Sequence, residues 1–82
     1  MSNESIVTQW EKSCGLWKRQ IGTQDHPVIL WAKPKNDSWS WHVWSPQGGD
    51  VEGHTPTATL PDTKDAATEA GYALLKRLES GS

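Results

Sequence analysis

The stretch Ser38-Trp39-Ser40-Trp41-His42-Val43-Trp44 has the two-residue period of a β-strand. Successive side chains of a strand point to opposite faces of a sheet, so the stretch separates into two sets. One set is strongly apolar and consists of Trp39, Trp41 and Val43. The other is mixed and consists of Ser40, His42 and Trp44. The stretch is therefore predicted to be a strand with one strongly apolar face and one mixed face.

Segments rich in Gly, Pro, Asn, Asp and Ser divide the rest of the chain at short intervals. These residue types favour turns, because they supply left-handed backbone conformations or local side-chain caps. The segments between the turns are short and rich in β-branched and aromatic residues, which is typical of strands. Five strands are predicted, at about 5–11, 16–22, 28–33, 38–45 and 50–55. The short connections favour antiparallel neighbours, since a parallel crossover needs about a dozen residues.

The period changes to that of a helix from Asp62 onward. Small and apolar residues recur on one stripe, which consists of Ala66, Ala67, Ala70, Gly71, Leu74, Leu75 and Leu78. Asp62 is the expected N-cap and Gly81 the expected stop. The predicted fold is α+β, a single domain over 1–82. It has a four- or five-stranded antiparallel β-meander and one C-terminal α-helix, at about 62–79, packed on one face.

Six of the 82 residues are Trp, whereas Phe is absent and Tyr occurs once. A chain of this length forms one domain with a small core. Because only 34% of the residues are hydrophobic, a few large rings are expected to fill that core, chiefly Trp39 and Trp41. The small residues of the helix stripe would let the helix approach these indoles. Trp44 points the other way and is expected to remain on the open face of the sheet.

The formal charge of the chain is −2, which is not the charge of a general nucleic-acid binder. The charges are unevenly distributed, because residues 12–35 are mainly basic and residues 37–82 mainly acidic. This polarity permits a partner on either side without identifying it.

Cys14 is the one cysteine of the chain, so neither an internal disulfide nor a cysteine-based zinc cluster can form. A reducing compartment suits such a chain, and we expect a cytoplasmic location, or the host cytoplasm for a phage-encoded protein. The longest apolar run, Val28–Ala32, is too short to cross a bilayer. The first residues also lack the pattern of a secretory signal, so no membrane association is expected.

Indoles outside a core are candidates for partner binding, because Trp and Arg dominate the energetic centres of protein interfaces. The residues predicted to bind a protein partner are Trp44, His42, Trp31 and Lys33. Self-association as a homodimer, through the open face or an edge strand, belongs to the same class. The alternative is that the indoles only fill the core and that His42 is a solvated strand residue.

Single-stranded nucleic acid is the second candidate partner. Exposed indoles can stack on unpaired bases while basic side chains track the phosphates. The basic residues in question are Lys18, Arg19, Lys33 and Lys35. Lys18 and Arg19 are neighbours on one predicted strand, so they point to opposite faces and do not form one patch there.

No set of residues in the sequence indicates catalysis. Cys14 has no signature neighbours, the three His residues lack the spacing of a metal site, and Gly48-Gly49 is not followed by the Lys-Ser or Lys-Thr of a phosphate loop. We therefore expect a non-catalytic protein without a metal or cofactor.

The pattern resembles a loosely defined group of short bacterial and phage proteins with a Trp-marked meander closed by an Ala-rich helix. The resemblance rests on Gly15-Leu16-Trp17, Val28 to Trp31, Ser38 to Val43, Gly49, Gly53 and Asp65-Ala66-Ala67. It implies a phage or mobile-element accessory protein that acts on a host complex, inhibition of a defence system being one version. No binding residue carries over from that group. The topology is also similar to integrase arm-binding domains, but those are basic on the sheet, where this chain has Trp, Ser and His.

Overall fold

The computed structural model describes residues 6–35, 38–55 and 59–81. Its elements are β1 (Glu11–Ser13), β2 (Leu16–Gly22), β3 (Pro27–Lys35), β4 (Ser38–Trp44), β5 (Asp50–Thr55) and α1 (Leu60–Gly81). The strands form one antiparallel sheet in the order β1-β2-β3-β4-β5. The predicted α+β fold, a meander followed by a C-terminal helix, is confirmed.

Helix α1 covers one side of the sheet, where it packs on β3 and β4 and to a smaller extent on β2. The buried core lies in this layer and consists of Ile21, Val28, Leu30, Ala32 and Val43 from the sheet with Ala67 and Leu74 from the helix. The opposite side is called the open face below. Two rows of neighbouring residues cross it: Lys18, Trp31, His42 and Glu52, then Gln20, Ile29, Trp44 and Asp50. Within the described residues, no helix is both long enough and apolar enough to cross a membrane.

The tryptophans surround the core instead of filling it, which corrects the expectation of a core built from large rings. All six lie in the described part of the chain, and none is fully buried. The fully buried large side chains are aliphatic: Ile21, Leu30, Val28 and Val43. Trp39 is half-buried, and Trp41 packs against the edge of the aliphatic cluster. The indoles on the helix side therefore seal the margins of a thin aliphatic layer, and Trp31 and Trp44 lie on the open face.

Gly71 explains why the layer is thin. A Cβ atom built at this residue would overlap Leu30 Cδ2 and lie 3.1 Å from Ile21 Cδ1. The helix backbone thus approaches aliphatic side chains of β2 and β3 at Gly71, and not the Trp39 and Trp41 indoles as predicted. So close an approach leaves no room for an indole between helix and sheet.

A second close approach places Trp41 over the edge strand. Its indole lies over Gly53, the residue directly opposite on β5, at a position where any Cβ would overlap the ring. A bulky ring above a strand glycine compensates for the side chain that the glycine lacks. Trp41 is therefore fixed to β5 as well as to the core.

The first strand differs from the predicted 5–11, and residue 5 lies outside the described residues. Ile6 and Thr8 donate backbone hydrogen bonds to Gly22 and Gln20, at 2.6 and 3.0 Å, but the regular ladder begins only at Glu11, opposite Lys18. Two residues lie between Thr8 and Glu11, whereas one residue lies between Lys18 and Gln20 on the neighbouring strand. This is the arrangement of a β-bulge.

The bulge determines where Trp10 lies. Unbroken pairing from Thr8 would place Trp10 opposite Lys18, on the open face. The extra residue instead turns Trp10 to the helix side, where it packs against the core. The Thr8 hydroxyl accepts the Gln20 N–H at 2.9 Å, and the Thr8 carbonyl accepts Arg19 Nε at 2.9 Å, so the interrupted ladder remains hydrogen-bonded.

The helix begins earlier than predicted, at Leu60, because Thr59 provides its N-cap. The Thr59 hydroxyl accepts the Asp62 N–H at 3.3 Å, and the Thr59 carbonyl accepts the Thr63 N–H at 2.9 Å. Asp62, the predicted cap, lies inside the first turn, where its negative charge favours the helix N-terminus. Gly81, the predicted stop, is the last helical residue.

Lys64 joins the first turns of α1 to the tryptophans of the N-terminal half. Its Nζ lies 3.8 Å from the centre of the Trp17 ring and 5.7 Å from that of Trp10. Arg19 approaches the Trp10 ring as well, at 5.9 Å. A cation above an indole is stabilised by the negative face of the ring. Lys64 therefore helps to hold the helix against β2.

Replacement of Gly71 by alanine tests the close approach of the helix. Helix propensity alone predicts that Gly71→Ala stabilises the protein by about 1 kcal/mol. The overlap with Leu30 predicts the opposite sign, a loss of about 1–3 kcal/mol in the free energy of unfolding. Urea unfolding followed by circular dichroism distinguishes the two. Ala73→Gly, at an exposed helix position, is the control and should lose only about 1 kcal/mol.

Loss of the Lys64 cation should weaken the contact between helix and meander. We expect Lys64→Met to lower the free energy of unfolding by about 0.5–2 kcal/mol and to change the tryptophan emission of the folded protein. Lys76→Met, on the exposed part of the same helix, should change neither. Equal behaviour of the two variants would show that the Lys64 contact is not stabilising.

Candidate partner-binding face

Trp31 and His42 form the centre of the open face. They lie directly opposite each other on β3 and β4, with ring centroids 5.3 Å apart and planes inclined by 28°. His42 Nε2 also contacts Asp50 Oδ1 at the start of β5. The Trp31 ring is thus held in one orientation by a histidine that is itself held by a carboxylate.

Trp44 extends the aromatic centre toward one end of the sheet. It follows His42 by two residues on the same face of β4 and lies opposite Ile29 of β3. Trp44 is 38% exposed, and among the large hydrophobic residues that the structure describes only a few are as exposed. Ile29, Trp31 and Trp44 together form an apolar patch, called the aromatic patch below.

Charged residues flank the aromatic patch on both sides. Lys18 of β2 lies next to Trp31 across the sheet, and Lys33 follows Trp31 by two residues on β3. Asp50 and Glu52 lie beyond the patch, on β5. Exposed Glu11 of β1 lies opposite Lys18, so the open face has charges of both signs on one side, an aromatic centre and carboxylates on the β5 side.

The turn between β4 and β5 sets the register that brings Asp50 to His42. Ser45 N donates to Gly49 O, and Gly48 N donates to Ser45 O, both at 3.1 Å. Gly48 has a φ of 107°, a conformation that glycine adopts without the steric cost of a side chain. The turn pairs Trp44 with Asp50, so that the carboxylate lies diagonally across from His42.

All four residues predicted to bind a partner lie on the open face. Trp31 and His42 are in contact, Trp44 is their neighbour on β4, and half-buried Lys33 lies opposite Ser40. The sequence reasoning missed the contribution of Ile29, Asp50 and Glu52. For the two acidic residues a signal was present, because the turn at Ser45–Gly49 fixes which residues of the next strand lie beside His42 and Trp44.

The basic residues of the alternative nucleic-acid site do not form one surface. Lys18 and Lys33 lie on the open face, whereas Arg19 faces the helix side, where its Nε bonds Thr8 O and its Nη1 lies 3.5 Å from Thr68 Oγ1. Lys35 belongs to β3, but its side chain lies outside the described part of the structure. The open face combines these lysines with the carboxylates of β5.

Among the described residues, no three His, Cys, Asp or Glu side chains come together in a way that could hold a metal ion. Shallow depressions of about 270–330 Å³ lie beside Trp41 and Gly53, beside Lys18 and Arg19, and between Gly49 and Leu74. These volumes are at the lower end of the range for small-molecule sites, about 300–1,000 Å³, and each depression is open instead of enclosed.

Comparison of the chain with protein-family models, with curated proteins and with solved structures finds no match. The resemblance to short bacterial and phage proteins accordingly stays a prediction.

The structure predicts that Trp41 and Trp44 differ in their effects on stability. Trp41 packs on Gly53 and on the core, so Trp41→Ala should cost about 3–5 kcal/mol of unfolding free energy or unfold the chain. Trp44 is partly exposed on the open face, so Trp44→Ala should cost less than half as much. Thermal and urea unfolding of the two variants measure the difference. Equal costs would show that Trp44 is a structural residue and not a free binding group.

Proposed function

We propose that this chain is a small non-catalytic interaction protein that binds a protein partner through the open face of its sheet. The observation that carries the proposal is the exposure of Trp44 beside the stacked pair of Trp31 and His42 on the side of the sheet that α1 leaves uncovered. Partly exposed indoles at the centre of a surface are typical energetic anchors of protein interfaces.

The charges around the aromatic patch indicate the chemistry of the partner. An interface of this kind needs an apolar projection to cover Trp31 and Trp44. It also needs an acidic group near Lys18 and Lys33 and a basic group near Asp50 and Glu52, because complementary potentials orient the partner. The partner we propose is therefore a folded protein surface with an apolar centre between charges of opposite sign.

The mixed charges favour a protein over single-stranded nucleic acid. A phosphate backbone lying across this face would meet Glu11, Asp50 and Glu52 as well as Lys18 and Lys33, and Arg19 is turned to the helix side. Stacking on Trp44 remains sterically open. Nucleic-acid binding is accordingly the alternative function that the experiment below must test.

The proposal extends to a biological role. A phage or mobile-element accessory protein that binds a host complex in the cytoplasm, for instance to inhibit a defence system, fits a chain of 82 residues with one recognition face. This part of the proposal is supported by the resemblance to short bacterial and phage proteins and by fold-level analogy.

Affinity capture from host lysate with matched aromatic variants tests the binding face. We expect wild-type protein and Tyr72→Ala to retain the same partner, because Tyr72 is 45% exposed on the helix, on the opposite side of the sheet from the open face. Trp44→Ala should weaken recovery of that partner by about tenfold or more, as expected for removal of a central aromatic anchor. Unchanged recovery with Trp44→Ala would remove the open face from the interface.

Oligonucleotide titration tests the alternative. If the partner is a protein, single-stranded DNA or RNA at low salt should leave the tryptophan emission of the wild type unchanged. Quenching that disappears in Trp44→Ala and weakens steeply with added salt would instead establish nucleic-acid stacking on this face.

A further inference from the structure

The outer edge of β5 is a second surface of the molecule that is arranged for pairing. In an antiparallel ladder, alternate residues direct their backbone N–H and C=O groups toward the neighbouring strand. Ser45 N donates a hydrogen bond to Gly49 O, so Gly49 and every second residue after it direct their backbone groups toward β4. Val51 and Gly53 are therefore the residues of β5 that bond to β4. The backbone groups of Asp50, Glu52 and His54 then point away from β4, and the side chains of all three are exposed.

The two edges of the sheet differ in how well they are protected. β1 has three residues and follows a bulge, features that typically prevent an edge from pairing further. β5 has six residues without a Pro or a Lys, and α1 packs on β2, β3 and β4 instead of covering it. Within the described residues, β5 is therefore the edge that offers a regular strand to another chain.

We propose that a second copy of this chain pairs with β5 through its own β5, antiparallel and about a two-fold axis at Gly53. In this register Glu52 of each copy lies opposite His54 of the other, in pairs that exchange two backbone hydrogen bonds each. The two sheets become one continuous sheet with both helices on the same side. The aromatic patches stay uncovered, so this inference is independent of the proposed function.

Charge selects this register over its nearest competitor. Residues directly opposite each other across an antiparallel seam lie on the same face of the sheet. The nearest competing register is therefore displaced by two residues, which keeps every side chain on its own face. An axis at Glu52 would pair Asp50 with His54 twice, but it would place the two Glu52 carboxylates opposite each other at its centre, which is unfavourable. An axis at Gly53 replaces that repulsion with two pairs of Glu52 and His54.

Gly53 also suits the position on the axis. Opposite residues that do not exchange hydrogen bonds approach to about 4.5 Å between Cα atoms, which favours a residue without a side chain. The Trp41 indole of each copy lies over its own Gly53, so two apolar rings would flank the seam on the helix side. The seam thus combines backbone hydrogen bonds, side-chain pairs of Glu52 with His54, and apolar contact.

Sedimentation of the full chain over a concentration series tests the dimer. We expect a monomer–dimer equilibrium in the wild type that Glu52→Pro abolishes. Proline removes an N–H that points away from β4, so the variant retains the ladder within its own sheet. Glu52→Ala, which keeps the N–H, should weaken the dimer roughly tenfold by removing the two side-chain contacts between Glu52 and His54. Circular dichroism verifies that both variants are folded.

A charge exchange tests the register. His54→Glu alone should abolish dimerisation, because it places a second carboxylate opposite Glu52. The double variant Glu52→His with His54→Glu restores the pairing of Glu with His in the same register and should recover the dimer. Failure of the double variant to recover it would overturn the proposed register.

Cysteine cross-linking tests the same contact directly in a Cys14→Ser background. Glu52→Cys and His54→Cys chains, mixed and oxidised, should give mainly the disulfide between the two different variants, since their Cα atoms would lie about 5.5 Å apart. A strictly monomeric wild type, a dimer that persists in Glu52→Pro, a dimer lost only in Trp44→Ala, or a dominant Glu52→Cys homodisulfide would each overturn the proposal. The first three outcomes leave capture of a protein partner to be judged separately.

Discussion

One helix covers one face of a five-stranded sheet, and the arrangement of the other side chains depends on the distance between the helix and the sheet. At Gly71 the helix backbone touches Leu30 and Ile21, so the layer between helix and sheet is only as deep as one aliphatic side chain. An indole does not fit into such a layer. The tryptophans are therefore placed at its margins and on the far side of the sheet, where they are available for other contacts.

The alternation along β4 and the helical stripe after residue 60 could be predicted, because both are local patterns with a fixed period. They determine the fold class and place His42 and Trp44 on one face of β4; Trp31 joins them through the pairing of β3 with β4. The position of Trp39 and Trp41 relative to the core could not be predicted from these patterns. It depends on the distance between helix and sheet at Gly71, which is a property of the tertiary packing and not of any local segment.

The N-terminal segment shows a second limit of sequence reasoning. Its β-branched residues correctly indicate an extended chain beside β2, but the bulge before Glu11 depends on the Thr8 hydroxyl and on Arg19 binding the Thr8 carbonyl. These long-range hydrogen bonds move Trp10 to the helix side. Arg19 lies on that side through the alternation along β2, where it is paired with Leu30, so its bond to Thr8 supports the bulge without changing the charge of the open face.

The side chains of the open face are held in fixed positions, which favours a role in recognition. Association is weakened by the free energy needed to immobilise side chains, so a patch that is already ordered binds more tightly than a mobile patch of equal area. Trp31 is held by its stack with His42, and His42 by Asp50. Neither contact is needed to fill the core, which lies on the other side of the sheet. A network that orders an indole on the uncovered face contributes most when a partner covers that face.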